Sequence, residues 1–123
     1  MTFGGCEVLI IEDDADLRDM MVQLLELEGF RADAAGDAAE ALARLRAGDG
    51  LPKIILLDLM MPVMDGWQFC QQRAHDQTLA QVPVVLLTAA PSHQAARAVG
   101  VSAILPKPFD YDTLLDTVRQ YCR

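Results

Sequence analysis

Four stretches of the sequence place polar side chains just after apolar runs, and these side chains could do chemistry together. An acidic triplet, Glu12–Asp14, follows the first run, while Asp58, Thr88 and Lys107 come after three others. In an open parallel sheet the carboxyl ends of neighbouring strands meet at one edge, where ligands bind. If the runs are strands of one sheet, that edge collects carboxylates, a hydroxyl and an ammonium group.

Clustered carboxylates of this kind need a cation. Two carboxylates 4 Å apart repel each other by about 4 kcal/mol at an effective dielectric constant near 20. Oxygen ligands select a hard cation such as Mg²⁺, and both Mg²⁺ and the Lys107 ammonium would favour the ionised form of Asp58. An ionised carboxylate flanked by cations is a competent nucleophile towards phosphorus. The Thr88 hydroxyl could then hydrogen-bond the transferred phosphoryl group.

Taken singly, each of these residues also has a structural explanation. The triplet Glu12–Asp14 could be a solvated loop with a helix N-cap, and Asp58 could simply end a strand. Thr88 could be a turn residue and Lys107 an ordinary surface lysine. Their occurrence after separate apolar runs, in this order, favours a common site.

The hydrophobic periodicity alternates between strand and helix along the whole chain. Apolar runs of strand length occupy residues 6–11, 30–35, 54–57, 82–87 and 103–105. Helical patterns follow them at about residues 17–25, 37–45, 65–73, 92–99 and 110–122. Five such units predict a doubly wound α/β fold, with a five-stranded parallel sheet in the flavodoxin-like order 2-1-3-4-5 and helices on both faces.

The predicted helices differ in how much apolar surface they can bury. The first has an apolar stripe at i, i+3, i+4, i+7 and i+8, formed by Leu17, Met20, Met21, Leu24 and Leu25. Gly29 then stands where a helix C′ residue belongs. Residues 92–99 are alanine-rich and thinly apolar, so we expect that helix to be the most mobile.

Local signals predict where the other helices begin. Asp37 followed by Glu40 forms a capping-box pattern. Asp65 is the expected N-cap of the third helix, and Asp110 or Asp112 starts the last one.

Length and composition limit the classes of protein to which the chain can belong. We expect residues 1–123 to form a single domain, with residues 1–5 as a flexible lead-in. The net charge of −8 disfavours binding to nucleic acid or anionic lipid. No apolar run reaches membrane-spanning length, and no secretory signal opens the chain. Three cysteines without CxxC spacing are typical of reduced thiols, so we expect a soluble cytoplasmic protein.

Over essentially its whole length the chain resembles the receiver domains of two-component response regulators. The motifs that carry the resemblance are residues 9–14 (LIIEDD), 57–66 (LDLMMPVMDG), 87–89 (LTA) and 105–109 (LPKPF). Each motif is weak alone, but the four in this order and spacing are specific.

The resemblance implies a signalling switch rather than an enzyme, with at most self-phosphorylation from small donors and self-dephosphorylation. The partner would be a sensor histidine kinase or a histidine phosphotransfer protein, and phosphorylation would change the binding of a downstream protein target. The resemblance implies Asp58 as phosphoacceptor, Thr88 as switch hydroxyl and Lys107 as the phosphate-pairing lysine. The implied Mg²⁺ ligands are Glu12 (largely through water), Asp13, Asp58 and the backbone carbonyl of Met60.

Three alternatives compete with this interpretation. Aspartyl-nucleophile phosphatases place a general-acid aspartate two residues after the nucleophile, where this chain has Met60, which cannot donate a proton. A nucleotide or flavin binder is disfavoured because the glycines of Gly48–Gly50 lead into a strand instead of a helix. A receiver-like interaction module that is never phosphorylated stays open.

One position departs from the receiver pattern. Ile104 stands three residues before Lys107, where receivers usually carry Tyr or Phe. Because isoleucine is β-branched and stiff about χ1, we expect no large side-chain swing there. The hypothesis is that the signal leaves the site through residues 89–92.

Overall fold

The computed structural model describes residues 7–47, 50–58, 63–88, 102–106 and 108–122, with the backbone alone over residues 63–68. The strands are β1 (Val8–Ile11), β2 (Ala32–Ala35), β3 (Ile54–Asp58), β4 (Val84–Thr88) and β5 (Ala103–Pro106). The helices are α1 (Ala15–Leu27), α2 (Ala38–Arg46), α3 (Val63–His75) and α4 (Tyr111–Tyr121), with a 3₁₀ turn at Leu79–Gln81. The lead-in at 1–5 and the helix predicted over 92–99 lie outside the described residues.

The five strands form one parallel sheet in the order β2-β1-β3-β4-β5, which confirms the predicted topology. All residues of β1, β3 and β4 are buried. Central strands of a parallel sheet are covered by helices on both faces, and this explains why their sequences are almost continuously apolar. None of the described helices is long and apolar enough to cross a membrane.

Two apolar cores lie on opposite faces of the sheet, because successive strand side chains point to opposite sides. Leu9 and Ile11 of β1 pack in the core that contains residues of α2 and α3. Val8 and Ile10 pack in the core that contains residues of α1 and α4. Each fully buried aliphatic side chain stabilises the fold by about 1.5–3 kcal/mol, so the strand ends are held on a rigid platform.

The apolar stripe predicted for α1 is narrower in the structure. Only Met21 and Leu25 are buried, whereas Met20 is 50% exposed. The prediction that Met20 belongs to the buried stripe was wrong. Successive helix residues are rotated by roughly 100° about the axis, and the sheet covers the face that carries Met21 but not the one that carries Met20. Gly29 has a φ of 94°, which confirms it as the left-handed residue after the helix.

Aspartates cap three of the described helices. The Asp14 side chain accepts hydrogen bonds at the start of α1, and Asp37 and Asp110 each accept one, at 2.7 Å, from the N–H three residues later. The prediction for Asp65 was wrong, because α3 begins at Val63 and contains this residue in its first turn.

A buried arginine, which the sequence analysis did not predict, joins α3 to the start of β4. Arg73 is only 5% exposed, and its Nε and Nη2 donate to the Val82 carbonyl at 2.9 and 2.6 Å. Nη2 also donates to the Ala80 carbonyl at 3.1 Å. The guanidinium therefore fixes the 3₁₀ turn against the helix.

Replacing Arg73 with Met should lower the free energy of unfolding by about 2–3 kcal/mol, because the buried Val82 carbonyl loses a charged donor. Urea unfolding monitored by circular dichroism measures the loss. Arg46→Met is the matched control, since its guanidinium is 47% exposed and lies 3.8 Å from the Asp76 carboxylate. An exposed pair of this kind contributes about 0.5 kcal/mol, and equal losses in both variants would contradict a structural role for Arg73.

Candidate functional site

The register between β1 and β3 brings two acidic side chains together. Ile11 pairs with Leu57, so Glu12 and Asp58 come next on adjacent strands. Glu12 is 1% exposed and Asp58 is 2% exposed. Two buried carboxyl groups therefore lie at the carboxyl edge of the sheet, as the sequence predicted.

The third predicted residue lies on the next strand. Asp58 pairs with Leu87, which places Thr88 one residue further along β4. Thr88 is 5% exposed and pairs with Pro106 of β5. Lys107, the residue after Pro106, lies outside the described residues, as does Met60.

The acidic triplet divides into three different environments. Glu12 is buried, Asp13 is exposed, and the exposed Asp14 caps α1, accepting from the Asp16 and Leu17 N–H groups at 3.0 and 3.1 Å. The Asp14 N–H in turn donates to Glu12 Oε2 at 3.0 Å. A solvated loop with an N-cap therefore describes Asp14, but it does not describe Glu12.

The Glu12 carboxyl group is strongly perturbed. Burial raises its pKa from 4.5 to about 8, and the neighbouring Asp58 carboxyl adds to the increase. The hydrogen bond from the Asp14 N–H acts in the opposite direction but is weaker. Without a cation, Glu12 therefore retains its proton at neutral pH.

The donor set fits a divalent cation as part of a coordination shell. Glu12 Oε1 is buried and has no hydrogen-bond partner among the described residues. Among the described residues no group of three or more Asp, Glu, His and Cys side chains forms a ready metal site. Mg²⁺ commonly uses one or two carboxylates and keeps several waters, which suits the Glu12–Asp58 pair.

The sequence analysis missed Arg18, whose Nη1 donates to the Glu12 carbonyl at 2.9 Å. Arg18 follows the N-cap Asp14 by four residues, and this spacing places both on one side of α1. That spacing was the available signal, but nothing in the sequence indicates that the side chain returns to the preceding loop.

Two surface cavities, of about 350 and 320 Å³, lie elsewhere and share Arg46 and Asp76. Both residues lie at or just beyond the C-terminal ends of α2 and α3. Helices that connect parallel strands run back against them, so these ends lie at the opposite edge of the sheet from the carboxylates. The cavities do not belong to the carboxylate site.

Comparison with known proteins identifies the family. A model of the response regulator receiver domain matches residues 8–119. The chain is 33% identical to an uncharacterized 14.6 kDa protein of Leptolyngbya boryana, over 98% of this chain and 93% of that one. It is 35% identical to the DNA-binding dual master transcriptional regulator RpaA of Synechocystis, over 94% of this chain but 48% of the relative. The chain thus spans about half the length of several regulators that it matches.

Solved structures agree with this assignment. Chemotaxis protein CheY4 of Vibrio cholerae superposes with a TM-score of 0.83 at 31% identity, covering 94% of this chain and 98% of that one. A CheY-like receiver domain protein of Methanospirillum hungatei superposes with a TM-score of 0.78 at 30% identity, covering 96% and 94%. The fold is that of CheY-like, flavodoxin-type proteins, as the periodicity predicted.

The raised pKa of Glu12 predicts a pH-dependent stability of the metal-free protein. Between pH 4.5 and about 8 the folded state binds a proton that the unfolded state has released. The free energy of unfolding should therefore fall as pH rises, by about 2–3 kcal/mol between pH 5.5 and 7.5. Urea unfolding in the presence of a chelator measures this slope.

Glu12→Gln should flatten the slope, since the amide does not titrate. Glu26→Gln removes one charge from an exposed position on α1 and is the matched control. If both variants keep the wild-type slope, Glu12 does not hold a proton in the folded state.

Proposed function

Because this chain belongs to the receiver domain family of two-component response regulators, we propose that it accepts a phosphoryl group on Asp58. The donor is a phosphohistidine of a sensor histidine kinase or a histidine phosphotransfer protein. Phosphorylation then changes how the chain binds a downstream protein. The family acts as signalling phosphoacceptors rather than as catalytic enzymes. The observation that carries the proposal is the buried Glu12–Asp58 pair at the ends of adjacent strands.

In the proposed transfer, an Oδ atom of Asp58 attacks the phosphorus atom of the phosphohistidine. The O–P bond forms as the N–P bond breaks, and the electron pair of that bond returns to the imidazole, which takes up a proton. The product is an acyl phosphate on Asp58. Beyond the attack by Asp58, the protein contributes by positioning the reacting groups and by neutralising the charge on the phosphoryl oxygens.

We propose that Mg²⁺ is held by Glu12, Asp13, Asp58 and the backbone carbonyl of Met60. When bound, the cation neutralises the carboxylates and the charge on the phosphoryl oxygens. The buried Glu12 Oε1, which has no hydrogen-bond partner among the described residues, supports this proposal, because a bound cation would give this oxygen a partner and would offset the charge of the two carboxylates once Glu12 loses its proton.

Thr88 and Lys107 complete the proposed site. Thr88 ends β4 one residue beyond Leu87, the neighbour of Asp58, so it lies on the strand next to the acceptor. Lys107 follows Pro106, which pairs with Thr88. We assign to the hydroxyl a hydrogen bond with the phosphoryl group and to the ammonium an ion pair with it, as the receiver motifs imply.

We also propose that residues 1–123 act as one domain in the cytoplasm. The two cores share one sheet, so the described elements are a single structural unit. A cytoplasmic location is supported by the three cysteines, which are odd in number and have no CxxC spacing, as is typical of reduced thiols.

Incubation with acetyl phosphate and Mg²⁺ should add one phosphoryl group to the folded protein, and intact mass spectrometry measures it. Asp58→Asn should abolish the addition, because the amide is not a nucleophile of comparable strength. Asp116→Asn, which changes a 79% exposed side chain on α4, is the matched control and should be labelled normally.

Labelling that persists in Asp58→Asn would assign the acceptor to another residue. A folded wild-type protein that is labelled neither by acetyl phosphate nor by phosphorylated histidine kinases would instead be a receiver-like interaction module.

Asp13 and Asp14 should respond differently to the same substitution. Asp13→Asn should weaken Mg²⁺ binding by about 100-fold or more, because it removes a proposed direct ligand and the loss of a partner outside the coordination shell already costs about 10–100-fold. Asp14→Asn should leave Mg²⁺ binding and stability close to wild type, because asparagine caps a helix as well as aspartate does. A titration followed by NMR decides between them. Equal weakening in both variants would show that the ligand is wrongly assigned within the triplet.

A further inference from the structure

We propose that Arg18 is a positioning residue for the carboxylate site, acting by fixing the peptide group that follows Glu12. The part of this proposal that concerns Mg²⁺ binding rests on the function proposed above. The inference goes beyond that function because Arg18 touches neither the acceptor nor the phosphoryl group and belongs to none of the motifs that identified the site.

Arg18 holds the acidic turn at two points. Its backbone N–H donates to the Asp14 carbonyl at 2.9 Å, and its side-chain Nη1 donates to the Glu12 carbonyl at 2.9 Å. The half-buried side chain thus returns from the first turn of α1 to the end of β1. The turn is closed into a ring of hydrogen bonds.

The contacts of Glu12 leave one atom available. Its N–H donates to the Ala35 carbonyl at 3.1 Å, its carbonyl accepts from Arg18, and its Oε2 accepts from the Asp14 N–H. Only Oε1 is without a partner. Fixing the other three groups orients this oxygen, and the Arg18 contact is the one made by a side chain that can be changed without touching the acid itself.

Gly36 lies beside the Arg18 guanidinium and has no side chain that would occupy the same space. A Cβ atom on Gly36 would stand 3.0 Å from Arg18 Nη1 and 3.7 Å from Cζ. Gly36 lies just after β2, and its N–H donates to Glu40 Oε1 at 3.3 Å. The glycine therefore leaves room for Arg18 between the ends of β1 and β2, and an alanine there would push Nη1 aside by a few tenths of an ångström while keeping the charge.

Charge and position predict opposite effects for Arg18. A positive guanidinium near the site repels a cation, so its removal by charge alone would strengthen Mg²⁺ binding. Loss of a contact that orients a ligand weakens metal binding, typically by 10-fold or more for partners outside the coordination shell. The sign of the change therefore distinguishes a positioning role from a purely electrostatic one.

Three variants test the proposal by NMR titration with Mg²⁺. Arg18→Gln removes the charge and the guanidinium, and Gly36→Ala keeps the charge but displaces the group. Arg18→Gln should weaken Mg²⁺ binding by about 10-fold, and Gly36→Ala should weaken it in the same direction but by less, because it shifts Nη1 without removing it. Arg46→Gln makes the same charge change at the opposite edge of the sheet and should leave the affinity unchanged. Thermal unfolding confirms that each variant is folded, and Gly36→Ala replaces Arg18→Gln as the deciding variant if the latter does not fold.

A second readout needs no metal. In the metal-free protein the Asp14 amide hydrogen, which donates to Glu12 Oε2, should exchange faster in Arg18→Gln and Gly36→Ala than in wild type or Arg46→Gln. Unchanged exchange and unchanged affinity, or tighter Mg²⁺ binding in Arg18→Gln, would overturn the proposal. If the wild type itself neither binds Mg²⁺ nor takes a phosphoryl group, the proposed function fails, and amide exchange still decides whether Arg18 positions Glu12.

Discussion

The burial of two carboxyl groups side by side is the constraint on which the site depends. Carboxylates 4 Å apart repel by about 4 kcal/mol at an effective dielectric constant near 20, which is a large part of the 5–15 kcal/mol that stabilises a typical domain. Glu12 and Asp58 are nevertheless both almost fully buried. Without a cation Glu12 keeps a proton, because burial raises its pKa to about 8 and the Asp58 carboxyl adds to the increase. A pair that is unfavourable on its own is most simply explained by a ligand that the pair binds.

The rest of the fold is arranged so that the pair cannot separate. β1 and β3 are adjacent and wholly buried, with apolar cores on both faces. The strands could relieve the repulsion only by breaking ladder hydrogen bonds or by opening a core. Beyond β1 the chain turns directly into α1, and Asp14 and Arg18 tie this turn to the helix. The sheet and the first turn of α1 therefore fix the backbone positions of Glu12 and Asp58.

The sequence predicted the elements that depend on hydrophobic periodicity or on local capping residues. The apolar run at 54–57 and the caps at Asp37 and Asp110 follow directly from burial on two faces and from the needs of a helix N-terminus. The sheet order followed from topology, and the strand-end rule placed Glu12, Asp58 and Thr88 together. The environment of Met20 was predicted wrongly, because periodicity does not reveal how wide a face the sheet covers.

The two arginines were missed for a different reason. Arg18 and Arg73 donate from side chains to backbone carbonyls, and any residue can supply such an acceptor. No pattern in the sequence identifies the partner, although it decides whether the arginine is a surface charge or a structural link.

The charge around the site also bears on how a phosphoryl group can reach it. The chain has a net charge of −8, but at physiological ionic strength charges more than about 8 Å away are largely screened. The local balance therefore matters more, and in the described residues it is dominated by the carboxyl groups of residues 12–14 and 58. An anionic phosphoryl group approaching this cluster is repelled unless the cluster is neutralised first. In the function proposed above, cation binding therefore precedes or accompanies the approach of the donor. A phosphoryl donor that belongs to a protein can offset the remaining repulsion through contacts between the two protein surfaces. A small phosphate donor contacts only the site itself.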